Sequence, residues 1–268
     1  GRLGRDLNAL AAALAQTEQA RRQWVADVSH ELRTPLALLR ADIEAMQDGV
    51  RPLDPRALGS LHADVLRLGR LIDDLYELSM TDLGALSYRK APVDVAELLR
   101  GELDAFRGAF ADADLSLHLE TPGTADDETG TRDDHWTIHG DAQRLSQLFR
   151  NLLRNTLAYT DRGGELRVTL SRRGERLTLR FDDSPPGVPD ADLPRLFERL
   201  YRVDGSRSRA TGGAGLGLAI ARNIVEAHGG CITAAPSPLG GLRVLVELPT
   251  DGADGPYAAA PPSQRNNR

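Results

Sequence analysis

The stretch "GGAGLGLAIARNIVEAHGG", residues 212–230, decides how the rest of the chain is read. Glycines 212, 213, 215 and 217 stand directly before a segment with helical apolar spacing. Glycine lets a backbone approach a ligand closely and turn its N–H groups inward. The helix behind it opens with unpaired N–H donors and a partial positive charge, which suits phosphate. The run is not a Walker loop, because no Gly-Lys-Ser/Thr follows. It is not the dinucleotide fingerprint either, because it comes late and lacks an opening strand with a following acidic partner. Taken alone, it is equally a simple hinge.

Two stretches upstream sharpen the question. In "NLLRNTLAYT" (151–160), Asn151 and Asn155 share one helix face, with Leu148 and Leu152 on the other side. Asparagine is a poor mid-helix residue. The pair reads as a polar surface stripe or as an amide oxygen aimed at Mg²⁺, a hard cation that prefers oxygen ligands. In "FDDSPPGVP" (181–189), an alternating strand ends in two carboxylates and a Pro-Gly turn. That is a turn signal by itself; a carboxylate there can also accept the exocyclic amino group of a purine.

Around these stretches the spacing predicts a mixture of strands and helices. Residues 91–99 read as a short linker into a helix, 115–120 and 136–140 as strands, and 141–159 as a helix. Two strands follow across 166–183, then a helix over 215–229 and two closing strands. Residues 121–135 read as a polar acidic loop, and the tail 251–268 as disordered. No ordered parallel βαβ repeat is present, so the expected architecture is an α/β sandwich with a mixed sheet and helices on one face.

The first third is different. Residues 6–48 read as one long helix, with Val28, Leu32, Leu39, Ile43 and Met46 on one stripe and Leu36 beside it. Gly49 and Pro52 mark a turn, and Asp54-Pro55 is an N-cap with proline at the first helical position. A second helix over about 55–83 carries Leu58, Leu61, Val65, Leu68, Ile72 and Leu75, in steps of three and four. Two long helices on a short connection make an antiparallel hairpin. A hairpin has too little depth to bury both seams, so either the seam packs on the rest of the chain or two copies form a four-helix bundle. The expected class is therefore α+β: a helical hairpin forming a dimeric four-helix bundle, then the sandwich.

In the first helix stands "SHELRTPLA" (29–37). His30 and Thr34 are four residues apart and share a face. Pro35 has no N–H for the carbonyl of Glu31, which predicts a bend or loosening one turn past His30. Histidine titrates near neutral pH and offers a neutral ring nitrogen as nucleophile. Glu31 points about 100° away around the helix, so its contact with the ring needs bent side chains.

Bulk composition sets outer limits. The chain has 268 residues, 41% hydrophobic and 27% charged, which suits one or two domains with a buried core. A net charge of −6 argues against a nucleic-acid binder. The single cysteine, Cys231, leaves no disulfide framework or thiolate zinc site.

In order along the chain, the histidine box, the paired asparagines, the aspartate before a glycine turn, "LFERLYRVDGSRSR" (196–209) and the glycine-rich segment resemble a sensor histidine kinase. The family joins HisKA dimerisation helices to an ATP-binding domain of the GHKL, or Bergerat, fold. The detail of 196–230 and of "SMTDLGALSYRKAPVD" (79–94) is similar to BaeS-type envelope-stress sensor kinases. The resemblance covers about 18–249. It implies the end of a signalling coiled coil over 1–19, a dimerisation and phosphotransfer hairpin over 20–87, and a catalytic domain over 88–250. It implies the cytoplasmic portion of an inner-membrane sensor that autophosphorylates on His30 with ATP and Mg²⁺. The phosphoryl group then passes to an aspartate of a response regulator, and a phosphatase activity toward the regulator accompanies the family.

The resemblance also carries roles. Glu31 orients the imidazole, and Thr34 helps align water in the phosphatase reaction. The alternatives are a solvated glutamate and a threonine bonded back to the helix. Asn155 is the Mg²⁺ ligand, and Asn151 a nearby ligand or supporting group. Tyr159 lies against the nucleotide, Asp183 pairs with the adenine amino group, and Gly187 gives the adenine turn. Gly213, Gly215, Leu216 and Gly217 wrap the phosphates, with Arg202, Arg207 and Arg209 as candidate phosphate contacts.

Three positions depart from the family pattern. Pro185 stands where the first glycine after the adenine aspartate is usual, Ala158 where Lys or Arg is common, and Thr156 where Ala or Ser is common. The first two favour a second reading, a nucleotide-binding scaffold with weak catalysis, unless an arginine of the lid compensates. A third reading, an ATPase of the gyrase, chaperone or mismatch-repair kind, leaves the helices of 20–85 unexplained.

Overall fold

The computed structural model describes residues 2–82, 86–121, 136–203 and 214–250, without the side chains of 2–14, 16, 17, 20, 21 and 82. The expected acidic loop, the tail from 251, and Arg207, Arg209 and Gly213 lie almost wholly outside these residues. The chain forms two compact units, 1–79 and 80–268.

The first unit is the hairpin. Helix α1 (Arg2–Gln47) continues through Pro35, and α2 (Pro55–Asp82) follows a short turn. Asp54 caps α2 by accepting the N–H of Ala57 at 2.7 Å, and Arg51 pairs with Asp42 across the turn at 2.5 Å. The seam of α2 splits into two sets, each with a seven-residue repeat. Leu61, Leu68 and Leu75 are half-buried or buried, whereas Leu58, Val65 and Ile72 stay 54%, 54% and 51% exposed. In α1, Leu39 is buried while Leu36 and Ile43 are exposed. One chain therefore covers half of the predicted seam, because a pair of helices has only one mutual face.

The second unit is the sandwich. The segment expected as a linker instead forms β1 (Ala91–Asp94), paired antiparallel with β3 (Thr137–Gly140). Pro92 is tolerated there because β1 has a neighbour on one side only. Asp94 then caps α3 (Val95–Asp112) through the N–H of Glu97 at 2.9 Å. The larger sheet holds β2 (Ser116–Glu120), β4 (Glu165–Arg173), β5 (Arg176–Asp183), β6 (Cys231–Pro236) and β7 (Leu242–Pro249). Its order is β2-β4-β5-β7-β6, with β2 parallel to β4 and every other pair antiparallel. The mixed sheet is as expected.

Helices α3, α4 (Ala142–Tyr159) and α5 (Gly217–Ala227) supply the other layer. The apolar face of α4 is Leu145, Leu148, Phe149, Leu152 and Leu153, all buried at helical spacing. Alternate residues of the strands meet it: Leu166, Val168 and Leu170, then Leu177, Leu179 and Phe181, then Val244, Val246 and Leu248. Phe149 and Phe181 lie 6.5 Å apart at the centre of this contact.

Candidate active site

The hairpin presents His30 to solvent on α1. Its imidazole has no partner among the described residues, and Glu31 beside it makes no hydrogen bond to the ring. The Thr34 hydroxyl donates to the carbonyl of His30 at 3.2 Å, and Ser29 does the same to Val25 at 2.7 Å. Thr34 is thus engaged with the helix here, as the plainer alternative expected. The apolar groove beside His30 has a volume of about 390 Å³ and is lined by Trp24, Val28 and Leu32 of α1 with Ile72, Leu75 and Tyr76 of α2.

In the second unit, α4 and α5 bring Asn151 and Gly217 together. Asn151, 8% exposed, donates from Nδ2 to the carbonyl of Gly217 at 3.3 Å. That bond ties the middle of α4 to the first residue of α5. Asn155 is half-buried one turn on, and its amide has no hydrogen bond among the described residues. Tyr159, 37% exposed, ends the helix. The sequence therefore places both amides on one face, with one used structurally and the other free.

The lid base is built by the segment before it. The Leu200 N–H donates to the Gly215 carbonyl at 3.0 Å. Gly215 has φ +71, and a Cβ there would fall on the Tyr201 carbonyl and the Leu200 backbone; only glycine fits. Leu216 is buried and precedes α5. The Tyr201 hydroxyl donates to Asp192 at 2.6 Å, with the Arg195 guanidinium 4.1 Å from its ring centre. Next to it, Arg202 carries two buried guanidinium nitrogens, Nε and Nη2, that meet no acceptor among the described residues. Orphaned buried donors of a cation fit an anionic group such as phosphate.

Asp183 closes β5. It is 6% exposed and accepts the N–H of Leu242 through Oδ1. Burial pushes its carboxyl up to about 7, against that hydrogen bond and with repulsion from Asp182. Gly187 lies in the following turn, against the carbonyl of Gly240. The Pro185 carbonyl accepts the Asp161 N–H at 2.9 Å.

Three features were missed in the sequence. A Cβ at Gly241 would collide with Asp183 Oδ1 and the Ser184 carbonyl, so Gly241 packs its backbone directly against the Asp183 carboxylate. Its signal was a Gly-Gly pair before the last strand. Arg243 grips Asp182 with two bonds, at 2.5 and 3.0 Å, one residue from Asp183. Asp141 and His228 form a buried bond at 2.9 Å. Neither pair has a local signature, since the partners are 61 and 87 residues apart.

No group of three or more His, Cys, Asp or Glu able to hold a metal is found among the described residues. A cation at this site would take amide and phosphate oxygens, and Asn155 supplies a free amide.

Comparison with known proteins agrees with this geometry. Residues 20–84 match the family described as the His Kinase A (phospho-acceptor) domain. Residues 140–252 match the histidine kinase-, DNA gyrase B- and HSP90-like ATPase family. The chain belongs to the histidine kinase family. The chain is 52% identical over 251 residues to the signal transduction histidine-protein kinase BaeS of Escherichia coli K12, covering 94% of this chain and 51% of that protein. Histidine kinase AdeS of Acinetobacter baumannii shares 25% identity at a TM-score of 0.66, over 83% of this chain and 98% of that one. Histidine kinase ThkA, solved in complex with response regulator protein TrrA, shares the fold at 22% identity and a TM-score of 0.64, over 84% of this chain and 60% of that one. The chain spans about half the length of the curated relatives it matches. No described helix is long and apolar enough to cross a membrane.

Proposed function

We propose that the chain is the catalytic part of a sensor histidine kinase that phosphorylates its own His30 from ATP and passes the phosphoryl group to an aspartate of a response regulator. What supports this reading is the coexistence, in one chain, of an unpartnered exposed imidazole and, in the second unit, unpartnered polar groups of the kinds that each part of a nucleotide needs. Asp183 offers its second carboxylate oxygen to the adenine amino group, Asn155 offers an amide oxygen to a divalent cation, and Arg202 offers orphaned donors to phosphate. Mg²⁺, when bound with ATP, neutralises the charge that builds on the phosphates.

The chemistry asked of the protein is small. A ring nitrogen of His30 attacks the γ-phosphorus, the bond to the β-bridging oxygen breaks, and ADP leaves. Glu31 is within reach to steady the other ring N–H once its side chain bends round the helix, and Thr34 serves the separate phosphatase reaction by orienting water that hydrolyses the aspartyl phosphate of the regulator. The hairpin over 20–87 pairs with a second copy, covering Leu58, Val65 and Ile72 and the groove beside His30. The chain is anchored to a membrane through sequence outside the 268 residues.

Incubation with γ-labelled ATP and Mg²⁺ tests the reading. The expected product is an acid-labile, base-stable label on the protein that His30→Gln removes. Nucleotide binding without label would instead favour the scaffold reading suggested by Pro185 and Ala158.

A further inference from the structure

Asp141 and His228 lie at the opposite end of the α4–α5 pair from the nucleotide groups. Asp141 caps α4: its Oδ1 accepts the N–H groups of Gln143 and Arg144 at 3.0 and 3.2 Å. Its own N–H donates to His228 Nε2 at 2.9 Å. The other ring nitrogen of His228 faces the carbonyl of Ile224 at 2.7 Å, which fixes the tautomer with hydrogen on Nδ1. His228 is 5% exposed, and burial holds its imidazole below the ordinary range, so the neutral ring is the form that accepts. The fit is tight, since a Cβ at Gly140 would press on Leu145 and on the His228 ring.

One segment grips this joint from outside. The Arg89 N–H donates to the second oxygen of Asp141 at 2.8 Å. The Tyr88 ring stands edge-on to His228 at 5.6 Å, and Lys90 Nζ reaches the carbonyl of Ala227, the last residue of α5, at 2.8 Å. Three consecutive residues thus touch the start of α4 and the end of α5. The middle of α4 is pinned to the start of α5 by Asn151 and Gly217, about 15 Å along α4. Helices α4 and α5 are therefore tied at two points, and 88–90, the segment that follows the hairpin in sequence, is fastened to one of them.

We propose that residues 88–90 are a handle on the nucleotide site: docked on the Asp141–His228 joint, they fix how α4 and α5 lie together and so position Asn151, Asn155 and the first turn of α5. Asp141 and His228 are positioning residues; neither touches nucleotide. The handle gives the chain upstream a route to change nucleotide affinity without reaching the pocket. It rests on the reading of 151–217 as a nucleotide site.

The test uses the full 268-residue chain. Tyr88→Ala/Lys90→Met removes two grips, and Tyr88→Phe/Lys90→Arg keeps a ring and a donor. Affinity for Mg²⁺ with a non-hydrolysable ATP analogue should fall roughly fivefold in the first, the scale of one hydrogen bond, and return in the second. Amide exchange without nucleotide should quicken in 145–155 and 217–224 of the first variant only. Coupling is reciprocal, so bound analogue should slow exchange of the Arg89 amide in the unaltered chain. Unchanged affinity in the first variant, or an Arg89 amide indifferent to the analogue, overturns the handle. If the unaltered chain binds no analogue, the nucleotide reading fails separately. The nucleotide-free exchange then decides, and unchanged rates in the two helices overturn the handle.

Discussion

The Leu242 N–H, at the start of β7, donates to Oδ1 of Asp183, at the end of β5, across 2.5 Å. One carboxylate oxygen is thus committed to the fold and the other is left for a ligand. The carboxyl sits near 7, raised chiefly by burial from an ordinary value of 3.8. Before nucleotide arrives, it is largely protonated below that pH, whereas an adenine amino group donates to the ionised form. Affinity should therefore be lost as pH falls through 7, by up to about tenfold per unit if only the carboxylate binds. Asp183→Asn should bind weakly and lack this component; titration calorimetry of both proteins from pH 5.5 to 8.5 separates it from titration of the phosphates themselves. A parallel pH dependence in the two proteins would remove Asp183 from adenine recognition. Stability runs the other way: the raised carboxyl favours the fold below 3.8, and this contribution is lost as pH rises through about 7.

The neighbouring carboxylate has a different partner. Asp182 has a side chain 5% exposed and Arg243 one 28% exposed, and they meet in a two-bond contact at the last cross-strand pair of β5 and β7. Arg243→Met leaves a buried carboxylate without its cation and should cost roughly 3 kcal/mol, at the lower end for a broken buried pair because Arg243 retains some exposure. Asp182→Leu/Arg243→Met should recover most of that loss. Urea unfolding of the three proteins measures it, and equal stability of Arg243→Met and the unaltered chain would show that the pair carries no weight.

Asn155→Ala isolates the cation. The side chain makes no hydrogen bond among the described residues, so its removal leaves no orphaned partner and should move the melting temperature by only a degree or two, within the usual ±0.5 kcal/mol of such changes. Autophosphorylation with Mg²⁺ should nevertheless disappear. Robust labelling of a folded Asn155→Ala protein would refute the metal assignment.

How much of this was readable in advance follows from range. Asn151 and Asn155 were placed on one face because a helix repeats every 3.6 residues, and the heptad of α2 announced the hairpin for the same reason. Residues 91–94 read as linker in the sequence because a four-residue strand containing Pro92 has too few positions to show alternation, and its partner β3 lies more than forty residues away. Asp183 stands out in the sequence because the Pro-Gly turn that follows it is local. The Leu242 N–H that holds it and the His228 that joins Asp141 come from the far side of the chain, and no period or spacing reports a pairing set only by tertiary packing. Thr34 shows the remaining kind of gap: the sequence leaves its hydroxyl between water and backbone, and only the folded helix shows the bond to His30.

The exposed half of the α2 seam makes the last prediction. Leu58, Val65 and Ile72 recur every seven residues, and each leaves about half of its surface in water in a single chain. Each large side chain covered contributes about 1.5–3 kcal/mol, and a two-fold partner covers each of them twice. Val65→Asp/Ile72→Asp should therefore be monomeric at micromolar concentration by light scattering, while amide protection in β4, β5 and β7 stays as in the unaltered chain. Leu66→Asp is the control: Leu66 is 49% exposed but lies off the repeat, so the dimer should survive it. A dimer that persisted with two buried aspartates on each side of its seam could not be held together by these residues. The bundle would then have to form through a different face of the hairpin.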